Sequence, residues 1–347
     1  MTLVFWQNII SPHFSYFLNE LQKSYPVILI VEANIEKERE KLGWKIPELN
    51  NIQILSIHDV NFNYLDTNYK HFFSGFHSYP KTTIYFKEIL KYNKVNIIAE
   101  APVLIGFQKY LKYLKYLILC FFYKKKIDKI YAMGKLGVSW YTKVGFDSEK
   151  IYNFQYTINN TERYLRNMNE NGVINFSFIG QLIDRKNIVP LIEMFSKLEN
   201  TNWKLNIIGD GNQLNLVKKT ISKYNLSNKI LLLGVLPNNL AIEYIAKTTS
   251  YLILPSKFDG WGAVVNEALS QGIKVITNTN CGASQMIKSN LFGYVYNQNN
   301  NNQLIFILND ILKNNITYSL ETSNLIAQEY HQLYQKKIVI DFIKTLN

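Results

Sequence analysis

The sequence predicts an α/β protein with two doubly wound parallel sheets. Short apolar runs such as Val27–Val31 and Tyr251–Leu254 alternate with segments of helical periodicity. This alternation stops once, in the polar and asparagine-rich stretch at residues 164–172, and then resumes. The length of 347 residues suits two domains of about 100–200 residues each. We therefore predict one α/β domain on each side of that stretch.

In the first half, we predict strands at residues 2–6, 27–31, 52–57, 95–99 and 129–133, and helices at 11–22, 84–90, 104–123 and 140–144. The strands are rich in Val, Ile, Leu and Phe, as expected for a sheet that is covered on both faces. The pair Ser11-Pro12 is predicted to form a turn that leads into the first helix. These elements make up the predicted N-terminal domain, residues 1–166.

In the second half, we predict strands at residues 175–179, 203–208, 229–233, 251–254 and 274–277, and helices at 188–198, 213–224, 239–247 and 263–270. Gly272 suits the end of the last of these helices. Residues 297–303 are predicted as a polar loop, and two helical stretches follow from Gln303. The second domain is placed at residues 173–325, and a C-terminal helix at 326–347 is expected to pack back toward the first domain. Two open α/β domains in tandem predict a central ligand cleft between the carboxyl ends of their sheets.

Charge and composition narrow the function classes. Hydrophobic residues make up 47% of the chain, which excludes a disordered protein because enough apolar surface is present to offset the ordering entropy. The net charge is +12, and residues 101–150 carry +7 of it. Residues 108–127 contain six lysines and no acidic residue. Such a basic block is typical of a protein that meets a polyanion.

Two interpretations of the basic block stay open. At ~100° per residue, its lysines and its apolar side chains lie on roughly opposite faces of a helix; these are Lys109, Lys112 and Lys115 against Leu111, Leu114, Ile118 and Phe121. The helix either rests on an anionic membrane surface or packs its apolar face on the sheet with the lysines in water. Only the first interpretation explains Lys124, Lys125 and Lys126. Nucleic-acid binding is a weaker alternative, because no nucleic-acid motif accompanies the charge.

The sequence indicates no export signal and no membrane span. The N-terminus lacks a basic region followed by a long apolar one, and the longest apolar run, residues 116–123, is shorter than the ~20 residues of a spanning helix. The two cysteines, Cys120 and Cys281, make neither a disulfide framework nor a cysteine-based metal site. We expect a cytoplasmic protein, peripheral at the inner face of the cell membrane.

Four signals follow one another in the second half. Gly180 follows a predicted strand and precedes Arg185 and Lys186; Gly209 and Gly234 follow the next two strands. The fourth signal runs from Pro255 to Leu269 and contains Asp259, the turn Gly260-Trp261-Gly262, and Glu267. A glycine turn that opens a helix presents backbone N–H groups and a positive helix end to an anion.

These signals resemble the retaining two-domain (GT-B) glycosyltransferases of family 4, the glycosyl transferases group 1, of the bacterial surface-polysaccharide type. The resemblance covers residues 174–297 closely and the first domain only in outline. It implies an acidic residue and a glutamate separated by seven residues, which Asp259 and Glu267 match. It also implies a UDP- or GDP-linked sugar as donor, with no further cofactor. The implied donor-binding residues are Gly180, Arg185, Lys186, Gly209, Gly234, Ser256, Gly260, Trp261, Gly262 and Ala263.

The resemblance and the chemistry together assign roles. Arg185 and Lys186 supply cations for the departing diphosphate, and Asp259 accepts hydrogen bonds from sugar hydroxyls. Glu267 is implied to contact the ribose hydroxyls. The alternatives are an ordinary helix N-cap for Asp259, a solvated helix residue for Glu267 and a solvated side chain for Arg185.

Two departures from the family pattern stand out. The family commonly has a glutamate where this chain has Asp259, and an arginine where it has Gln181. The shorter Asp259 keeps the charge, and Arg185 is the candidate to replace the missing arginine.

In the first domain, the resemblance implies a histidine that faces the transferred sugar, and His77 matches its position. His77, Asp259 and Glu267 are thus the predicted catalytic residues. His13, Gly75 and Glu100 follow strands and are predicted to contact the acceptor, the alternative being structural roles. No metal is predicted, because the sequence has no Asp-x-Asp motif and its five histidines lack metal-ligand spacing.

The predicted function is transfer of a sugar, with retention, to a glycan acceptor such as a lipid-linked intermediate of surface-polysaccharide (O-antigen or capsule) assembly. The alternatives are a non-catalytic nucleotide-sugar-binding or scaffold subunit and, among enzymes, an inverting transferase or an epimerase of the same fold.

Overall fold

A computed structural model of the chain describes residues 1–36, 39–40, 45–60, 68–77, 79–159, 163–164 and 172–346. The described residues form two compact units. The first contains those within Met1–Lys41, Lys45–Asn159 and Gln335–Asn347, and the second those within 160–334. The predicted linker at 164–172 lies outside the described residues except for Tyr164 and Gly172.

The described part of the first unit contains a parallel sheet of seven strands in the order β3-β2-β1-β4-β5-β6-β7. The strands are β1 (Thr2–Gln7), β2 (Val27–Val31), β3 (Gln53–Ser56), β4 (Tyr69–Ser74), β5 (Val95–Ala99), β6 (Ile127–Met133) and β7 (Ile151–Phe154). The helices are α1 (Pro12–Leu21), α2 (Pro80–Ile89), α3 (Gln108–Tyr123), α4 (Gly134–Lys143) and, from the C-terminus, α11 (Lys337–Leu346). The strand order changes direction between β1 and β4, which is where ligands of such sheets bind.

Aromatic rings fill the core between α1, α11 and the first sheet. The Phe342 ring of α11 lies 4.7 Å from Tyr131 and 4.9 Å from Phe17, measured between ring centroids. Phe5 stacks on Phe72 of the neighbouring strand at 4.8 Å. The last helix of the chain is therefore part of the first unit.

The described part of the second unit contains a parallel sheet of six strands in the order β10-β9-β8-β11-β12-β13. The strands are β8 (Ile174–Ile179), β9 (Trp203–Ile208), β10 (Ile230–Gly234), β11 (Tyr251–Leu254), β12 (Lys274–Asn278) and β13 (Gly293–Tyr296). The helices are α5 (Ile188–Phe195), α6 (Leu214–Lys223), α7 (Asn238–Thr248), α8 (Val264–Ser270), α9 (Asn301–Lys313) and α10 (Leu320–Tyr330). The predicted α/β fold with two parallel, Rossmann-like sheets is confirmed.

The sequence analysis did not predict three of the strands: β4, β7 and β13. Polar residues interrupt β4, and their partners are distant in the chain. The Trp6 indole donates to His71 Nδ1 at 3.2 Å, and the Lys70 ammonium donates to the Leu346 carbonyl at 2.6 Å. The β7 strand is short and lies at the sheet edge, and β13 begins at a glycine.

Helix boundaries also differ from prediction. The helix expected at 84–90 begins at Pro80, because the Glu32 carboxylate accepts hydrogen bonds from the Thr82 amide and hydroxyl, both at 2.8 Å. The helix expected at 140–144 spans Gly134–Lys143, and the one expected at 104–123 begins at Gln108. The predicted polar loop at 297–303 ends early, since α9 begins at Asn301. A π-helical turn, His331–Lys336, joins α10 to α11, so the C-terminal region has one helix more than predicted.

Helix α3 contains most of the basic block, and it packs by a narrow face. Leu119 and Cys120 are buried, 7% and 5% exposed. On the opposite side at ~100° per residue lies the outer face of α3: Tyr110, Leu111, Leu114, Leu117, Ile118, Phe121 and Phe122, each between 37% and 76% exposed. The alternative in which this apolar face packs on the sheet is therefore wrong. Among the described helices, none combines the length and apolar character needed to cross a bilayer.

Candidate functional site

Three glycine turns at the carboxyl ends of β8, β9 and β10 form the base of the candidate site. The Gly180 amide donates to the Ile208 carbonyl at 3.0 Å, and the Gly209 amide donates to the Gly234 carbonyl at 2.7 Å. The Leu182 amide donates to the Asp210 carbonyl at 2.8 Å. The three glycines predicted from the sequence thus lie in adjacent turns that are joined by backbone hydrogen bonds.

Close backbone approach explains why glycine is needed at position 209. Its φ is +138°, and a Cβ there would lie 1.9 Å from the Gly180 carbonyl oxygen. A Cβ at Gly211 would lie 2.4 Å from the Leu182 oxygen. Side chains at these positions would push the two turns apart, so the glycines keep the backbone surface at the sheet edge compact.

Two cations meet one carboxylate beside these turns. Arg185 and Lys186 lie on a 3₁₀ turn, Asp184–Lys186, that follows β8. Lys186 Nζ lies 2.6 Å from Asp259 Oδ2, and Arg185 Nη1 lies 3.5 Å from the same oxygen. Arg185 Nη1 also donates to the Phe258 carbonyl at 2.9 Å. Arg185 is therefore not the solvated side chain of the alternative interpretation.

Asp259 is fixed from several directions. It is 9% exposed, its amide donates to the Asn280 carbonyl at 2.9 Å, and its own carbonyl accepts from the Gly282 amide at 3.0 Å. The hydroxyl of the fully buried Ser256 lies 3.3 Å from Asp259 Oδ2. The N-cap of α8 is Ala263 rather than Asp259, so the N-cap alternative for Asp259 is wrong. Because no atom of Ser256 reaches the surface, its place in the site is to hold Asp259.

The turn from Gly260 to Ala263 is held by the core behind it. Gly262 has a φ of +90°, and a Cβ there would lie 2.7 Å from a Leu254 methyl carbon and 2.8 Å from Cys281 Sγ. Burial, and then the charge of Asp259, raise the pKa of Cys281 to about 12, so its thiol stays protonated and donates to the Trp261 carbonyl at 3.0 Å.

The Trp261 side chain holds the turn from the core side. It is only 1% exposed, and its indole N–H donates to Asn266 Oδ1 at 2.7 Å. The fully buried Asn266 in turn donates to the Tyr330 hydroxyl at 2.9 Å. The side chain is therefore a core residue, and donor binding by the backbone of Trp261 stays a prediction. The sequence predicted neither Asn266 nor Tyr330 as a support of this turn.

The anion site expected at this turn is smaller than predicted. The first turn of α8 is tight, with the Val265 amide donating to the Gly262 carbonyl at 3.0 Å and the Asn266 amide to the Ala263 carbonyl at 2.9 Å. An anion here must therefore use amides that precede Val265.

Glu267 is buried, with 7% exposed, so the interpretation as a solvated helix residue is wrong. Its Oε1 accepts from Asn238 Nδ2 at 3.1 Å. Asn238 begins α7, directly after the turn that carries Gly234. This contact joins the fourth sequence signal to the third. The sequence analysis did not predict a role for Asn238. The signal that could have indicated it is its position after Pro237, at the start of a helix.

The predicted acceptor residues lie at one edge of the first sheet. His13, Gly75 and Glu100 follow the adjacent strands β1, β4 and β5. The Tyr156 hydroxyl donates to Glu100 Oε1 at 2.8 Å, and its ring centroid lies 6.0 Å from that of His13. Tyr156, which the sequence analysis missed, therefore joins His13 to Glu100.

His77 lies in the loop after β4. Its Nε2 lies 3.1 Å from the Tyr123 hydroxyl of α3. Burial, followed by the charges of Lys87 and Lys115, lowers the pKa of His77 below its usual value. The lowered pKa favours the neutral imidazole at physiological pH.

Among the described residues, no group of three or more His, Cys, Asp or Glu side chains is placed to hold a metal ion. Independence from metal ions stays a prediction.

Comparison with known proteins adds a family match. Residues 163–329 match the model of the family described as Glycosyl transferases group 1. Over 136 residues, 39% of this chain and 36% of the relative, the chain is 30% identical to the N-acetylgalactosamine-N,N'-diacetylbacillosaminyl-diphospho-undecaprenol 4-alpha-N-acetylgalactosaminyltransferase of Campylobacter jejuni. Over 163 residues, 45% of each chain, it is 26% identical to the lipopolysaccharide 1,6-galactosyltransferase of Escherichia coli. The alignments thus span less than half of the length of these curated relatives.

Solved structures match over the whole chain. The apo lipopolysaccharide outer core galactosyltransferase WaaB has a TM-score of 0.69 and 15% identity, with 100% of both chains covered. Anabaena HepE in complex with UDP-glucose has a TM-score of 0.71 and 13% identity, covering 100% of this chain and 99% of that one. Residues 163–329 thus match the group 1 glycosyl transferase domain, and the two units have the GT-B fold.

Proposed function

We propose that the protein is a glycosyltransferase that moves a sugar, with retention and without a metal ion, from a UDP- or GDP-linked donor to a glycan acceptor. The observation that most supports this proposal is the cluster of Arg185, Lys186 and Asp259 beside three glycine turns. The cluster lies within residues 163–329, which match the family model. A departing nucleoside diphosphate needs cations, and two are held here before any ligand arrives. The UDP-glucose complex of the neighbour HepE supports the donor class.

The residues divide the work as follows. Diphosphate oxygens compete with Asp259 for the Lys186 ammonium, since phosphate and carboxylate bind the same donors. Asp259 is then available to accept a hydrogen bond from a sugar hydroxyl. Glu267, oriented by Asn238, accepts hydrogen bonds from the ribose hydroxyls. Neutral His77 donates or accepts one hydrogen bond on the acceptor side.

A panel of nucleotide sugars tests this proposal by thermal shift followed by turnover. One donor at a hundredfold excess over its Kd is expected to stabilise the protein by about 2.7 kcal/mol. Product from that donor, resolved by NMR, reports the anomeric configuration and hence retention. If no nucleotide sugar raises Tm and none is consumed, the proposal is wrong. A Tm shift without turnover on any acceptor would instead favour a non-catalytic, nucleotide-sugar-binding subunit, the alternative that Gln181 and Asp259 keep open.

We further propose that the acceptor is a lipid-linked intermediate of surface-polysaccharide assembly. The Campylobacter relative acts, by its name, on a diphospho-undecaprenol-linked sugar. The E. coli relative acts on lipopolysaccharide.

An acceptor of this kind places the protein at the inner face of the cell membrane, and α3 supplies the docking surface. Its outer face is apolar and exposed, and residues 108–127 carry six lysines without an acid. Vesicles of anionic lipid are expected to carry the protein upward in a flotation gradient. Replacing Lys124, Lys125 and Lys126 with glutamine should weaken this binding about 100-fold, at ~1 kcal/mol per lysine. If wild type and variant float equally well with anionic vesicles, or if the protein floats only with neutral vesicles, the lysines do not drive binding to anionic lipid and this proposal is wrong.

A further inference from the structure

Helix α3 has an inner face, opposite its outer face, and two tyrosines of this inner face contact the loop that carries His77. The Tyr116 ring meets Phe76 edge to face, with centroids 6.3 Å apart. The Tyr123 hydroxyl lies 3.1 Å from His77 Nε2. Tyr116 and Tyr123 are two helical turns apart and share one face of α3. The loop is therefore held against α3 at two points.

The His77 ring sits in an aromatic cluster formed by two helices. Its centroid lies 5.6 Å from Phe86 of α2 and 5.4 Å from Tyr123 of α3, and Phe86 and Tyr123 lie 5.4 Å apart. Movement of α3 relative to the sheet would thus displace the ring. Among the described residues, the His77 ring forms its hydrogen bond with the Tyr123 hydroxyl.

Charged groups near His77 come from the same two helices. Lys87 of α2 and Lys115 of α3 both disfavour its protonated form. Lys115 is exposed and lies at the border between the two faces of α3 at ~100° per residue, next to Phe122 of the outer face. An anionic surface against the outer face therefore offsets part of the positive charge that acts on His77.

We propose that α3 links a lipid surface to the His77 loop: its outer face docks on an anionic bilayer, and Tyr123 on its inner face is a positioning residue for His77. A bilayer fits better than a protein partner, because the exposed apolar side chains are bordered by lysines at both ends of the helix without an acid among them. The importance of His77 for transfer rests on the proposed function, whereas docking and the state of the ring do not.

Tyr123→Phe tests the inner contact, with Tyr92→Phe, an exposed tyrosine outside α3, as the matched control. NMR of the labelled histidine rings reports the tautomer and titration of His77. We expect Tyr123→Phe to shift the His77 tautomer ratio. It should also lower kcat on the order of tenfold while the KM for the donor stays unchanged. This loss is smaller than the roughly hundredfold loss caused by misplacing a catalytic group by 1 Å. Tyr92→Phe should change neither the tautomer ratio nor kcat. An unchanged His77 ring signal and titration in Tyr123→Phe would overturn the positioning role.

Vesicles test the link between the two faces. Vesicles of phosphatidylglycerol should raise the pKa of His77, and vesicles of phosphatidylcholine should not. Lys115→Gln should raise that pKa without vesicles and blunt the vesicle response. Phe121→Glu with Phe122→Glu, both at exposed positions, should abolish docking and the response together. Vesicles that bind wild type without moving the His77 titration, or that do not bind at all, overturn the link. Absence of sugar transfer with an intact NMR response would count against the proposed function alone.

Discussion

Replacing Lys186 with alanine is expected to lower kcat/KM by about two to three orders of magnitude. The Lys186 ammonium is held 2.6 Å from Asp259 in a largely buried setting, so it is oriented before the donor binds. Loss of one such preorganised group that stabilises developing charge costs ~2.7–4 kcal/mol in the transition state. Steady-state kinetics with a donor identified by thermal shift would measure this loss.

Lys257→Ala is the matched control for Lys186→Ala. Lys257 lies next to the cluster, with its amide donating to the Arg185 carbonyl at 2.9 Å, and its ammonium pairs with Asp184 at 2.6 Å, but this pair is exposed to solvent. Exposed pairs contribute about 0–1 kcal/mol, so the variant should keep its Tm and near-normal activity. Near-normal activity in Lys186→Ala, with Tm unchanged, would remove the cation cluster from the mechanism.

A companion variant separates the ion pair from the diphosphate contact. Lys186→Ala leaves the Asp259 carboxylate buried beside Arg185, which costs stability apart from any effect on the donor. Lys186→Ala combined with Asp259→Asn removes the charge of that carboxylate. The double variant should recover Tm relative to the single one but not kcat/KM, because the diphosphate still lacks its cation and the sugar now lacks the Asp259 carboxylate.

The sequence could predict those parts of the site that depend on local geometry. Gly180, Gly209 and Gly234 each follow a strand, and adjacent parallel strands end at one sheet edge, so their proximity follows from fold class and spacing. The contact between Lys186 and Asp259 spans 73 residues, and nothing local indicates it. The same holds for Asn238, whose amide reaches Glu267 across 29 residues.

The packing face of α3 and the strand β4 could not be predicted for the same physical reason. Periodicity identifies apolar arcs on a helix, but it does not say which arc meets the sheet. In α3 the arc with Leu119 and Cys120 packs, although lysines share it, while the more apolar arc with Leu114 and Phe121 faces solvent. In β4, His71 interrupts the apolar run in the sequence, although its side chain is fully buried and accepts a hydrogen bond from Trp6. Tertiary partners decided each case.

Gly209→Ala is expected to destabilise the second unit strongly and to weaken donor binding. The added Cβ would lie 1.9 Å from the Gly180 carbonyl oxygen, and backbone cannot rotate away as a flexible side chain can. Overpacking costs ~1–3 kcal/mol and an unfavourable positive φ adds ~1–3 kcal/mol, so we expect a loss on the order of 4 kcal/mol. Calorimetry of unfolding and of donor binding would measure both effects.

Gly234→Ala separates the clash from the backbone conformation. Gly234 lies in the adjacent turn with a φ of +66°, and a Cβ there meets open space. Its cost should be the ~1–2 kcal/mol of a left-handed residue alone. The difference between the two variants therefore measures how tightly the turns at Gly180 and Gly209 press together. Equal losses of unfolding free energy in the two variants would mean that the turns can separate freely. The Gly180 turn leads directly into Arg185 and Lys186, and its position would then not depend on the Gly209 turn.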